Sequence, residues 1–220
     1  MEPSFLILEK NGKKFFQKKF LNNEEGEQML DKHLFSSSIL SRLNILHPFV
    51  NVELSVGTII AMDYLPYPTL SDVWKHLTHL KREHILKKII EIEKKFYTLP
   101  QQNNLIVQHN DLNALNILVD IDQDDIYLID YADVGYSFKG RDVASLMLDP
   151  QIKLNKSEMS FVCNLANDWL EVSVIVQSMK IEVERKEAIL RKMGNFRPGY
   201  NQLADIVREQ FFVFQQLGIR

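Results

Sequence analysis

The sequence has 220 residues, of which 45% are hydrophobic and 25% are charged, and its formal net charge is −3. A chain of this size and hydrophobic content can bury a core in one domain or in two closely packed lobes. Its small net charge provides no broad basic surface, so no nucleic-acid partner is expected.

The single cysteine, Cys163, rules out an internal disulfide and fits a reducing compartment. The first residues lack the basic-then-apolar pattern of a signal peptide. No apolar run approaches the roughly 20 residues needed to span a bilayer. We therefore expect a cytoplasmic protein without a membrane span, and a secreted effector is a second interpretation because some export signals are not legible in a sequence.

The first third of the chain is predicted to be mainly strands. Two apolar stretches, residues 4–9 and 13–20, flank Asn11-Gly12, a dipeptide typical of a tight β-hairpin turn. Asparagines at residues 22–23 are suited to cap a helix that extends toward residue 43. Residues 50–54 and 58–64 are then predicted as two further strands.

The rest of the chain is predicted to be mainly helical. A helix is expected to open at Thr69, and residues 81–97 carry an apolar stripe with helical period. Residues 117–119 and 126–129 predict a short hairpin, after which the pattern from residue 141 is helical almost to the end. We therefore predict an α+β fold with a small lobe at residues 1–64 and a helical lobe at residues 65–220.

One polar motif is more specific than any other feature of the sequence. It supplies a carboxylate at Asp111, an amide five residues later at Asn116, and a second carboxylate at Asp130 after the predicted hairpin. These are the groups needed to hold a magnesium–nucleotide and to aim a hydroxyl at its terminal phosphate. A simpler interpretation is that they cap turns and strand ends. A zinc site at His109 and Asp111 is a third interpretation, although the sequence contains no matched pair of histidines.

The motif resembles the kinase-like fold, and most closely its aminoglycoside and choline phosphotransferase branch. The resemblance rests on His109-x-Asp111-Leu112-x-x-x-Asn116 and Ile129-Asp130-x-x-Asp133. It implies a bilobal protein-kinase-like fold with a small antiparallel sheet and one helix in the N-lobe, and a larger, mostly helical C-lobe. Within the C-lobe it implies a catalytic loop at residues 107–120 and a metal-binding segment at residues 126–142.

The resemblance also implies a role for each motif residue. Asp111 would accept the proton of the acceptor hydroxyl or orient that hydroxyl. Asn116 and Asp130 would be the ligands of Mg²⁺, which prefers hard oxygen donors. The ring of His109 would brace the loop.

The same resemblance implies a nucleotide site in the small lobe. Met62, Asp63 and Leu65 would meet the adenine at the end of the last small-lobe strand. Lys18 would bind phosphate, with Lys19 as the alternative on the opposite face of the strand. Glu27 would pair with that lysine. Its rivals on the same helix are Glu24, Glu25 and Asp31.

The sequence departs from the family at the phosphate cover, because it has no glycine-rich Gly-x-Gly-x-x-Gly loop. Residues 11–13 are one candidate replacement for this loop, and the other option is poorly covered phosphates with slow or absent turnover.

From the motif residues and the resemblance we predict an ATP-dependent phosphotransferase that uses Mg²⁺. The alternative, which the missing loop motivates, is a nucleotide-binding pseudokinase or regulatory module. A helical binding domain without nucleotide is a third possibility.

The acceptor is expected to bear a hydroxyl and to be a small molecule, a sugar or a protein. Acidic and basic residues are mixed over residues 168–197, so the charge pattern selects no acceptor class. Trp169 and Phe196 are candidates to line an acceptor pocket, although core packing is the commoner role of such residues.

Overall fold

The computed structural model describes residues 4–103, 105–137, 139–147 and 149–166. Backbone contacts divide the chain into two compact units, one made of Met1–His76 and His109–Gly135 and the other of Leu77–Gln108 and Tyr136–Arg220. The helices predicted after residue 166, together with Trp169 and Phe196, lie outside the described residues. The predicted lobe boundary between residues 64 and 65 does not coincide with a boundary of these two units, and it stays a prediction.

The first unit begins with the predicted hairpin. Strand β1 (Ser4–Lys10) pairs antiparallel with β2 (Lys13–Lys19), and β2 pairs antiparallel with β3 (Ile59–Asp63). The turn residues Asn11 and Gly12 have φ of 53° and 73°, the left-handed conformation that asparagine and glycine adopt most readily. The hairpin prediction is therefore confirmed.

Helix α1 (Asn23–Arg42) follows as one continuous helix. The Asn22 side chain accepts a hydrogen bond from the Glu25 N–H and so caps the first turn, as predicted. The helix comes unusually close to the segment before β3, since a Cβ added at Gly26 would fall on the carbonyl oxygen of Gly57. Only glycine allows this approach.

The strand predicted at residues 50–54 is not formed, and this prediction was wrong. Val50 makes an isolated bridge to Met62, and residues Val52–Leu54 form a 3₁₀ turn. The Asn51 side chain accepts from the Leu54 N–H at 3.1 Å, and this local bond favours a turn over a strand.

The first unit closes with short elements around the polar motif. Thr69 caps α2 (Leu70–Val73) in a reciprocal bond with Asp72. Strands β5 (Ile117–Asp120) and β6 (Asp125–Leu128) form the predicted hairpin, with every residue of β5 buried.

The second unit is built on α3 (His79–Phe96), which Thr78 caps at its start. Strand β4 (Ile106–Gln108) pairs with β7 (Gly135–Ser137), and α4 (Arg141–Met147) and α5 (Lys156–Leu165) follow. Both of these helices contact α3. Among the described helices, none combines the length and the apolar character needed to cross a membrane.

The second unit buries an acid on the inner face of α3. Glu93 has no solvent exposure, and neither carboxyl oxygen has a hydrogen-bond partner among the described residues. Burial and, to a lesser extent, the charge of Asp142 raise the pKa of Glu93 well above its ordinary range. The folded protein therefore holds a proton on Glu93 that the unfolded chain releases at lower pH.

We expect the free energy of unfolding to fall as the pH rises from the unfolded pKa of Glu93 towards its higher folded pKa. The slope contributed by one such group reaches about 1.4 kcal/mol per pH unit. Glu93→Gln should remove this contribution, because glutamine keeps the shape without a titrating proton. Urea unfolding at several pH values measures the slope. Glu91→Gln, at an exposed position of the same helix, is the matched control, and equal slopes in wild type and Glu93→Gln would contradict the prediction.

Candidate active site

The loop at residues 109–116 is held by its own asparagines. The Asn113 side-chain oxygen accepts from the N–H groups of Leu115 at 3.0 Å and Asn116 at 3.2 Å. The Asn116 amide nitrogen donates to the backbone oxygen and to Oδ2 of Asp111, each at 2.9 Å. The five-residue spacing of the motif therefore corresponds to one tight turn that joins the carboxylate of Asp111 to the amide of Asn116.

Asp130 lies just beyond β6 in a left-handed backbone conformation, with φ 52° and ψ 47°. Aspartate adopts this left-handed conformation more readily than most residues with a side chain, and residues in it are enriched at functional sites. His109 holds the preceding residue, because its Nε2–H donates to the Ile129 carbonyl oxygen at 3.1 Å. The bracing role predicted for His109 agrees with this contact.

Lys18 and Asp130 form an ion pair, with Nζ 3.0 Å from Oδ1. The lysine side chain is 11% exposed and the aspartate side chain 46% exposed. The ion pair brings β2 to the motif. Lys19, the predicted alternative, is exposed on the other face of the strand.

Tyr131 anchors the turn that follows Asp130 to the rest of the first unit. Its hydroxyl donates to the Pro48 carbonyl oxygen at 2.6 Å, and burial raises the pKa of this phenol above its ordinary value. The buried ring of His33 packs edge-on against Tyr131, with 5.5 Å between ring centroids. Burial lowers the pKa of His33, and its Nδ1–H donates to Met29 O at 2.7 Å. The neutral ring of His33, on α1, therefore packs against this turn.

A pocket of about 530 Å³ lies within the first unit. Its lining combines a few polar groups with a largely apolar wall. Phe5 and Phe16 form part of this wall and stack at 5.4 Å. The pocket is lined by Phe5, Phe16, Lys18, Pro48, Met62, Asp63, Tyr64, Leu65, Leu115, Asn116, Leu118, Ile129 and Asp130.

Most of the predicted site residues meet at this pocket. The ones that line it are Lys18, Met62, Asp63, Leu65, Asn116 and Asp130. Asp111 is exposed and joins the group through its bond to Asn116. Glu27 does not meet them, since it is exposed on α1 and the ion pair that Lys18 makes within the described ranges is with Asp130.

The donor set fits a magnesium ion. Asn116 uses its side-chain nitrogen for Asp111, so its oxygen is not engaged in those bonds, and Asp130 supplies a carboxylate to the lining of the same pocket. Two hard oxygen donors suit an ion whose remaining ligands are phosphate oxygens and water. In the part of the chain that is described, no group of three or more His, Cys, Asp or Glu side chains converges as a metal site.

The apolar wall was not identified from the sequence. Phe5 and Phe16 have the apolar neighbours Leu6 and Phe15, so no alternation of polar and apolar residues marked their face in the sequence. The positions of Pro48, Leu115 and Ile129 depend on how separate elements pack, which no local pattern reveals.

Comparison with solved structures shows a protein-kinase-like fold. An ADP-bound aminoglycoside phosphotransferase APH(2'')-Ib is 11% identical over 95% of this chain and 91% of that chain, with a TM-score of 0.63. Choline kinase LicA from Streptococcus pneumoniae is 14% identical over 92% of this chain and 89% of that chain, with a TM-score of 0.52. The predicted α+β, kinase-like fold class is confirmed.

The sequence profile of the choline/ethanolamine kinase family matches residues 28–170, which is more than half of the chain. The chain belongs to the choline/ethanolamine kinase family, and the resemblance to the phosphotransferase branch is confirmed. No curated protein sequence matches it significantly.

We expect Tyr131→Phe to lower the free energy of unfolding by about 1–2 kcal/mol, because the buried Pro48 carbonyl loses its donor. Chemical denaturation of the purified protein measures this loss. Tyr136→Phe is the matched control, since Tyr136 is 46% exposed. Equal losses in the two variants would show that the Tyr131 hydroxyl contributes nothing specific.

Proposed function

We propose that this protein is an ATP-dependent phosphotransferase that moves the γ-phosphoryl group of Mg-ATP to a hydroxyl of a small molecule, sugar or protein. The observation that carries the proposal is that Lys18, Asn116 and Asp130 line one largely apolar pocket, with Asp111 hydrogen-bonded to Asn116. Membership of a kinase family supports the same reaction class.

The pocket wall supports a flat heterocycle as the ligand. Its volume of about 530 Å³ falls in the range of small-molecule sites, and aromatic and aliphatic side chains dominate its lining. Asp63 ends β3 and Leu65 lies two residues beyond it, and their backbone groups are proposed to meet the edge of adenine. An ADP complex of APH(2'')-Ib and an AMP-PNP complex of amicoumacin kinase are among the structures with this fold.

Each polar residue is proposed to have a separate task. The ammonium of Lys18 would neutralise phosphate charge, and Asn116 and Asp130 would hold the magnesium ion that accompanies the nucleotide. Bound Mg²⁺ would draw charge from the phosphate oxygens. Because Asp111 uses Oδ2 to accept from Asn116, its Oδ1 is proposed to accept the hydroxyl proton of the acceptor.

Asp111→Asn and Asp130→Asn should separate proton acceptance from metal binding. We expect Asp111→Asn to lower transfer by roughly 10²–10⁴-fold while Mg-ADP still binds, since only the base is lost. Asp130→Asn should weaken Mg-ADP binding as well as transfer. Transfer of labelled phosphate to choline, ethanolamine, aminoglycosides, small alcohols and proteins, together with calorimetry, gives both quantities.

Asp122→Asn, on the exposed turn between β5 and β6, is the matched control for these two variants. Undiminished transfer in Asp130→Asn would sink the proposal. Binding of Mg-ADP without transfer to any acceptor would instead favour the pseudokinase alternative, which the missing glycine-rich loop motivates.

Lys18→Met should weaken ADP binding by about tenfold or more, equivalent to about 1.4 kcal/mol, because the phosphates lose the ammonium that faces them. Lys19→Met changes the same charge on the opposite face of β2 and should leave binding nearly unchanged. Titration calorimetry compares the two variants, and equal losses would argue against a phosphate-binding role for Lys18.

A further inference from the structure

The ammonium of Lys18 depends on one carboxylate. Among the described residues its ion-pair partner is Asp130, with 3.0 Å between Nζ and Oδ1. The acidic residues of helix α1, where the partner was predicted, are all exposed and supply no second carboxylate to it. Asp133, three residues after Asp130, lies 3.8 Å from the ammonium of Lys32 instead. Lys18 and Asp130 therefore neutralise each other.

The two partners differ in their access to solvent. The Lys18 side chain is much the more buried of the two, whereas nearly half of the Asp130 side chain is exposed. The ring of Phe20 lies 5.8 Å from the ammonium and offers a much weaker contact than a carboxylate does. A lysine this buried is costly to leave unpaired. A dissolved cation can therefore reach Asp130, but it can take that carboxylate only by leaving Lys18 without a partner.

One carboxylate does not readily serve both cations. Mg²⁺ binds its oxygen ligands at about 2.1 Å. With the ammonium 3.0 Å from Oδ1, two cations on the oxygens of Asp130 would lie closer together than the Debye length of about 8 Å. Salt screens their repulsion little, because the pair is partly buried. Asn116, the other predicted metal ligand, is uncharged and does not offset this repulsion.

We propose that Lys18 competes with the divalent cation for Asp130, and that the phosphates of the nucleotide end this competition by binding Lys18. The ammonium then gains phosphate oxygens as partners, and the Asp130 carboxylate is left to the metal ion. Metal and nucleotide should therefore strengthen each other's binding, and by the same factor. The release of Lys18 rests on the proposed function, whereas the competition at Asp130 does not.

Titration with Mn²⁺ alone tests the competition. Mn²⁺ shares the preference of Mg²⁺ for oxygen ligands, and electron paramagnetic resonance measures its free concentration. Without nucleotide, Lys18→Met should bind Mn²⁺ at least about tenfold more tightly than wild type, because no ammonium holds Asp130. Lys18→Gln also removes the charge and should show the same gain, which guards against a folding defect specific to methionine.

Two controls locate the effect. Lys19→Met removes the same charge from the opposite, exposed face of β2 and should leave Mn²⁺ affinity within about twofold of wild type. Adding Asp130→Asn to Lys18→Met should abolish the gain, since the contested carboxylate is lost. The competition is overturned if both Lys18 variants bind Mn²⁺ no better than wild type, if Lys19→Met gains equally, or if the gain persists without Asp130.

Calorimetry with ADP tests the release of Lys18 by phosphate. Mn²⁺ should strengthen ADP binding several-fold more in wild type than in Lys18→Met, because only wild type has an ammonium to move off Asp130. The Mn²⁺–ADP complex that forms in solution is the same for both proteins and cancels from this comparison.

An equal or smaller strengthening in wild type would refute the release and leave the competition at Asp130 standing. If neither protein binds ADP, the proposed function and the release fail together, and the titration with Mn²⁺ alone still decides the competition.

Discussion

The ion pair between Lys18 and Asp130 fixes the arrangement of the whole site. Its partners are 112 residues apart in the chain and 3.0 Å apart in space. An ammonium with little access to water is stable only when it is paired, so this contact holds the Lys18 face of β2 toward the pocket. With Lys18 inward, Phe16 also faces the pocket, while Lys19 faces away. The register with β3 then carries Met62 to the same wall.

Local signals predicted the parts of the fold whose stabilising contacts are local. The Asn11-Gly12 turn and the cap at Asn22 each depend on bonds that span a few residues, and both were read correctly from the sequence. The error at residues 50–54 has the same origin. There the strand pattern was real, but the Asn51 side chain satisfies a nearby backbone N–H and stabilises a turn instead.

The sequence indicated where the polar motif residues lie, but it did not indicate which acid pairs with Lys18. Asp111 and Asn116 belong to one short loop, and Asp130 follows the β5–β6 hairpin, so these three residues lie near one another in the sequence. The choice of Glu27 depended on the rotational phase of α1, which packing sets. The buried face of that helix carries His33 rather than the acid, and Glu27 follows Gly26 by about 100° around the helix.

The backbone contact at Gly26 has a consequence for motion. Because α1 rests directly on the Gly57 carbonyl with no side chain between them, the helix and the approach to β3 are expected to shift as one body. A movement of α1 alone would first have to break this backbone contact. This contact therefore favours regulation by ligands that enter the pocket over regulation by an independent movement of α1.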